Sequence, residues 1–235
     1  MSKSSQDSPA DKSAPIEKVY DPERSRIRFR EWFPAMSESD IDKLIVYLGE
    51  LNKFNKAVNL VSPSTLAQAD ALHLADSVYA GELIVPKLID GEALFDFGSG
   101  NGFPGLVLGA LNPSLQVKLV DRDERKLEFC KHVAATIGAK NITTIKCEVE
   151  RLPPGSVKNV VSRGFAPLAK AMMIARAPVA KGGKFFHLKG EQWATELSSV
   201  PSQLFSFWQP SLIGSYRLPD LGGEMSVVLT DKTEA

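Results

Sequence analysis

The chain has 235 residues, with 28 basic and 28 acidic side chains, so its formal net charge is zero and its isoelectric point lies near 6.8. That length is enough to bury one core, and the absence of an apolar run of about eighteen residues excludes a membrane-spanning helix. Cys130 and Cys147 make no disulfide framework, the three histidines are scattered and offer no metal site, and the polar start lacks a signal peptide's apolar core, which together imply a cytoplasmic protein.

Residues 1–20 are rich in Ser, Pro, Asp and Lys with little to bury, and read as a disordered tail. Residues 21–90 read as a helical extension, with helices over 24–33, 38–54 and 64–84. The second carries an apolar stripe at Ile41, Leu44, Ile45, Leu48 and Leu51, and Ser37 with Asp40 three residues later forms a variant of the capping box. Residues 91–232 read as an α/β domain with strands over 94–97, 115–120, 142–146, 158–162, 184–188, 204–213 and 224–229, and a helix over about 122–137. Strands alternating with helical segments predict a doubly wound, mostly parallel sheet.

One run concentrates the chemistry: Leu94-Phe95-Asp96-Phe97-Gly98-Ser99-Gly100-Asn101-Gly102-Phe103-Pro104-Gly105. An apolar strand closes on an acid, glycines at 98, 100 and 102 permit positive φ and remove β-carbons from a turn, and Pro104 suits the first turn of the helix that follows. A ligand can lie against such bare backbone. A dinucleotide turn wants glycine at the sixth motif position, where this chain has Phe103. The acid followed by G-x-G-x-G is instead the first motif of Rossmann-like S-adenosylmethionine (SAM) methyltransferases, with Asp96 near the ligand's amino acid end. Asp121, closing the second strand, can accept both hydroxyl hydrogens of a ribose, or serve only as a cap for the helix beginning near Glu124. Val149 and Glu150 follow the third strand at the same sheet edge.

With Val161-Ser162-Arg163-Gly164-Phe165-Ala166-Pro167-Leu168, Leu188-Lys189-Gly190, Asn55-Lys56-Ala57-Val58-Asn59-Leu60 and His73-Leu74-Ala75-Asp76-Ser77, the chain resembles the glucose-inhibited division protein B (RsmG) family from about residue 44 to 229. The resemblance implies a Rossmann-like class I SAM methyltransferase fold, a seven-stranded mostly parallel sheet with helices on both faces. It also implies SAM-dependent methylation of a guanine N7 in 16S ribosomal RNA, with SAM contacts from Gly98, Phe103, Val149, Glu150 and Arg163. Glu148 departs from it, standing where an arginine is usual, and Gly164 replaces an alanine.

Arg163 and Phe165 are the candidates at the reacting end, Arg163 for the SAM carboxylate or the guanine edge and Phe165 for stacking on a flipped base. His73 and Asp76, three apart, share a helix face and suit a hydrogen bond that locks local structure. Zero net charge argues against an RNA partner, but residues 151–190 contain no acid and eight bases, and Arg24, Arg26, Arg28 and Arg30 form a second group. Arg24, Arg28, Lys170, Lys184 and Lys189 are the candidate RNA contacts, for 16S rRNA or the small ribosomal subunit, by a monomer. A small-molecule SAM methyltransferase and a non-catalytic SAM- or RNA-binding module remain the alternatives.

Overall fold

The computed structural model describes residues 20–233, so all of the expected tail except Tyr20 lies outside the described residues. The extension begins with α1 (Pro22–Trp32), capped by the Asp21 carboxylate, and α2 (Glu38–Asn55), capped by Ser37 Oγ, which accepts from the Asp40 amide. The helix expected over 64–84 is divided into α3 (Pro63–Leu66), a wide π-helical turn (Asp70–Ala75) and α4 (Asp76–Ile84). The break has a local cause: buried Asp70 accepts from the Ala71 amide, Ser25 and Arg28, which ties the turn to α1.

The α/β part runs β1 (Leu94–Phe97), α5 (Gly105–Leu111), β2 (Val117–Asp121), α6 (Glu124–Thr136), β3 (Ile142–Lys146), β4 (Val157–Arg163), α7 (Leu168–Ala175), β5 (Val179–Gly190), α8 (Trp193–Ser198), β6 (Trp208–Arg217) and β7 (Glu224–Lys232). The seven strands form one sheet in the order β3-β2-β1-β4-β5-β7-β6, parallel except that β7 runs against both neighbours. The strand expected from residue 204 starts only at Trp208, because Ser202–Ser206 winds into a 3-10 turn after Pro201.

Alternation along the strands sends side chains to two cores. Leu94, Leu119, Val161, Phe186 and Leu229 meet the extension helices with α5 and α6 on one face, while Phe97, Val120, Val160 and Phe185 meet α7 and Trp208 on the other. Phe29, Leu51 and Leu74 of the extension are wholly buried in the first of these cores. The extension and the sheet therefore share apolar surface, and the extension overhangs the carboxyl edge of the strands, where ligands bind in doubly wound sheets.

Candidate functional site

The turn after β1 is held by backbone hydrogen bonds, to β2 and within itself. Val120 O accepts from the Gly98 and Ser99 amides at 2.9 and 3.0 Å, and Ser99 O accepts from Gly102 N at 2.8 Å. Gly98, Gly100 and Gly102 have φ of 67°, 52° and 93°, conformations that L side chains rarely adopt. Their missing β-carbons point to different places. At Gly100 a Cβ would meet nothing nearer than Gly98 O at 3.8 Å, and at Gly98 it would meet the Phe165 ring at 2.5 Å. At Gly102 it would strike Tyr47 Oη at 2.7 Å and Leu106 Cβ at 2.8 Å. On its Cβ side, Gly102, expected as a cofactor contact, admits Tyr47, whose hydroxyl donates to Asn101 O. Phe103 is sandwiched between Tyr47 and His73, with ring centroids 5.0 Å away on each side, and is 6% exposed, leaving little of its ring for a ligand.

The two acids have separate duties. Asp121 Oδ2 accepts from Gly100 N and Oδ1 from Asp123 N, both at 2.8 Å, while Asp123, not Asp121, caps α6. The helix-cap alternative for Asp121 is therefore excluded, and its half-buried carboxylate lies at the open side of the turn. Asp96 is wholly buried, accepting from Gly105 N at 2.8 Å, so it braces the turn from below rather than facing the crevice. Burial pushes its carboxyl up to about 7, against the opposing pull of the Gly105 amide and Arg163. Beyond β3, Val149 is buried and Glu150 exposed in a short 3-10 turn at the same edge.

Across the crevice, Arg163 at the end of β4 reaches into the extension. Nη1 donates to Asp76 Oδ2 at 2.7 Å and to Leu72 O at 2.8 Å, and Nη2 to His73 Nδ1 at 2.7 Å, which engages three of the guanidinium's five N–H groups. Tyr216 of β6 donates to Asp76 Oδ1 at 2.6 Å. His73 and Asp76 do not bond each other as their spacing suggests; both converge on Arg163. Phe165 rests on Gly98. Sequence reasoning missed Tyr47 and Tyr216, which carry no motif, and assigned no ligand to Ser99 and Asn101, although both lie inside the glycine run.

The basic residues do not form one face. Arg28 is buried, bonded to Asp70 at 2.7 Å and Asp220 at 2.9 Å and stacked on Trp32, so it holds the extension together and is unavailable to RNA. Lys189 is bound to Glu196 at 2.7 Å and to Ala166 O at 3.1 Å. Lys184 donates to Lys87 O at 2.7 Å and pairs in register with Asn159 near the start of β4, at the sheet edge opposite the glycine turn. Arg24 and Lys170 are exposed, and Lys170 lies in the first turn of α7, which leaves the crevice edge.

Among the described residues six buried side-chain polar atoms lack a partner, and three of them, Ser99 Oγ, Asn101 Oδ1 and His73 Nε2, belong to the glycine turn and the residue packed on it, with Asp96 Oδ1 beneath. Such groups are costly unless something satisfies them. Their presence around the open backbone of Gly100 fits a polar ligand with both donors and acceptors.

The chain matches the family model described as GidB, rRNA small subunit methyltransferase G, over residues 40–208. It is 45% identical over 205 residues to ribosomal RNA small subunit methyltransferase G 3 of Bdellovibrio bacteriovorus, covering 87% of this chain and 93% of that protein. It is 34% identical over 160 residues to ribosomal RNA small subunit methyltransferase G of Chromohalobacter salexigens, covering 68% and 74%. Among solved structures, a SAM-dependent methyltransferase from Aquifex aeolicus matches with a TM-score of 0.52 at 16% identity, covering 75% of this chain and 97% of that one, which shows a common fold.

Proposed function

Because the chain belongs to the GidB, or rRNA small subunit methyltransferase G, family and is a methyltransferase of ribosomal RNA, we propose that it moves the methyl group of SAM to N7 of a guanine in 16S rRNA. The observation that carries this reading is the glycine turn, open at Gly100, backed by the Asp121 carboxylate and surrounded by unpaired buried polar atoms.

SAM supplies an electrophilic methyl on a sulfonium. Guanine N7 is an unprotonated acceptor with a lone pair, so its attack needs no general base. The protein's work is then to hold two reactants in line and keep water out. Gly98 and Gly100 let the cofactor lie on backbone, Asp121 accepts from ribose hydroxyls with the lone pairs left beside its two amide bonds, and Val149 offers an apolar wall with Glu150 at its rim. Phe165, two residues beyond β4 and packed on Gly98, would offer its ring for stacking on an unstacked guanine. Arg163 has two N–H groups left uncommitted. Arg24 and Lys170 remain as phosphate contacts from the residues that the sequence offered.

Mass spectrometry of 16S rRNA from cells lacking the gene tests this directly. A single 7-methylguanosine should disappear and return with the intact gene but not with Gly100→Val; an unaltered modification pattern would overturn the reading.

A further inference from the structure

His73 ends a chain of contacts that no candidate role yet explains. Tyr216 holds Asp76, Asp76 holds Arg163, and Arg163 Nη2 donates to His73 Nδ1 at 2.7 Å. A guanidinium cannot accept a hydrogen bond, so in the neutral ring Nδ1 is the acceptor and the proton resides on Nε2. Burial and the neighbouring Arg163 charge keep the imidazole neutral, with its pKa pushed down to about 3. Nε2 is sealed from solvent and bonded to nothing, while the ring's face is stacked on Phe103, directly after the glycine turn. The arrangement thus fixes one N–H donor in tautomer and in position, buried without a partner beside the residue that follows the glycine turn.

The other unpaired groups at the turn complement it. Asn101 Nδ2 donates to Leu60 O, which leaves Oδ1 as an acceptor, and Ser99 Oγ retains a hydroxyl hydrogen. An acceptor beside two donors is the pattern that a zwitterion requires: an ammonium on one side and a carboxylate on the other. Strand order agrees. β1 lies between β2, which ends on Asp121, and β4, at whose end Arg163 tethers His73, so a cofactor with its ribose at Asp121 would have its amino acid end near His73 if it crossed β1.

On the reading that SAM is the cofactor, we propose that His73 binds the carboxylate of its methionyl end through Nε2–H, that Asn101 Oδ1 accepts from the ammonium, and that Tyr216, Asp76 and Arg163 are positioning residues for His73. The helical extension then completes the cofactor site, besides covering it.

Two ligands separate this from a structural role: S-adenosylhomocysteine, which has the amino acid end, and 5′-methylthioadenosine, which lacks it. His73→Phe keeps an aromatic ring on Phe103 and deletes the donor. Calorimetry on the folded full-length variant should show S-adenosylhomocysteine binding about tenfold to a hundredfold more weakly, the range for one lost hydrogen bond to a charged group. Affinity for 5′-methylthioadenosine should change less than about twofold. Tyr216→Phe, which loosens Asp76 without touching the ring, should give a smaller loss with the same selectivity. Equal weakening of both ligands, or of neither, would show that His73 only supports the turn and overturn the proposal. Failure of the wild-type protein to bind either ligand would instead overturn the cofactor reading on which it rests.

Discussion

Gly100 looks like its neighbours Gly98, Gly102 and Gly105 in the sequence, and the structure gives them opposite work. Gly100 presents open backbone; the others admit side chains, Gly98 the Phe165 ring, Gly102 Tyr47, and Gly105 Asp96 and Leu119. A glycine motif thus contains a ligand face and a packing face, and spacing alone does not say which residue serves which. Substitution can separate them, because one face should fail in binding and the other in folding.

The largest effect is expected at Gly105→Ala, whose Cβ would lie 2.7 Å from Asp96 Cβ and 2.8 Å from Leu119 Cδ2. Asp96 Cβ is fixed to the β1 backbone and cannot swing aside, and the buried Leu119 has no space to turn into, so the variant should lose about 3 kcal/mol of stability, read as a lower denaturant midpoint at unchanged slope. If it were as stable as the wild type, the packing role would be wrong. Gly100→Val is the counterpart. It should cost about 1–2 kcal/mol of stability, from a side chain forced to φ near 52°, yet remove SAM binding altogether by filling the open space above the turn.

Asp96 supplies a pH signature of the packing face. Its folded pKa, about 7, lies above the ordinary 3.8, so its contribution to stability is complete below about 4, falls as the unfolded chain ionises, and is lost as pH rises through 7. Asp96→Asn retains an acceptor for Gly105 N and cannot ionise. The stability difference between this variant and the wild type should therefore grow in the variant's favour by roughly 2–4 kcal/mol between pH 4 and 7 and then level off. A flat difference would mean that the carboxylate is satisfied when charged.

Asp121→Ala comes next, weakening SAM binding by about 1.5–3 kcal/mol through the lost ribose contact and lowering stability by about 1 kcal/mol through the two released amides. Loss of stability alone would restrict Asp121 to bracing the turn. The smallest effect separates the two sheet edges. Lys170→Glu should weaken rRNA binding and flatten its salt dependence, with each lost phosphate contact lowering the slope by somewhat less than about one unit, whereas Lys184→Glu at the far edge should leave that slope unchanged. Equal slopes for the two variants would deny the crevice edge its role in docking RNA.

The parts of the molecule that were legible in the sequence are those determined locally. Buried strands such as β1 and β4 read as short apolar runs, the Ser37 cap follows from its spacing to Asp40, and the glycine turn with Asp121 follows from motif distances. The illegible parts depend on partners far along the chain. Arg28 looks like a surface base until Asp70 and Asp220 enclose it, and Lys184 until the fold brings Lys87 O to it. Eight bases without an acid between residues 151 and 190 suggested one face, but α7 carries the chain from one edge of the sheet to the other and distributes them across both. Tyr216 and Asp76 are 140 residues apart, and no pattern in the sequence could pair them.

The account stands most directly on one measurement: incubation of the purified chain with small ribosomal subunits or 16S rRNA and SAM carrying a deuterated methyl group, followed by mass spectrometry of the digested RNA. The account predicts that the label appears as 7-methylguanosine at one position with the wild-type protein and is absent with Gly100→Val. Label on another atom or base, or label transferred undiminished by Gly100→Val, would contradict it.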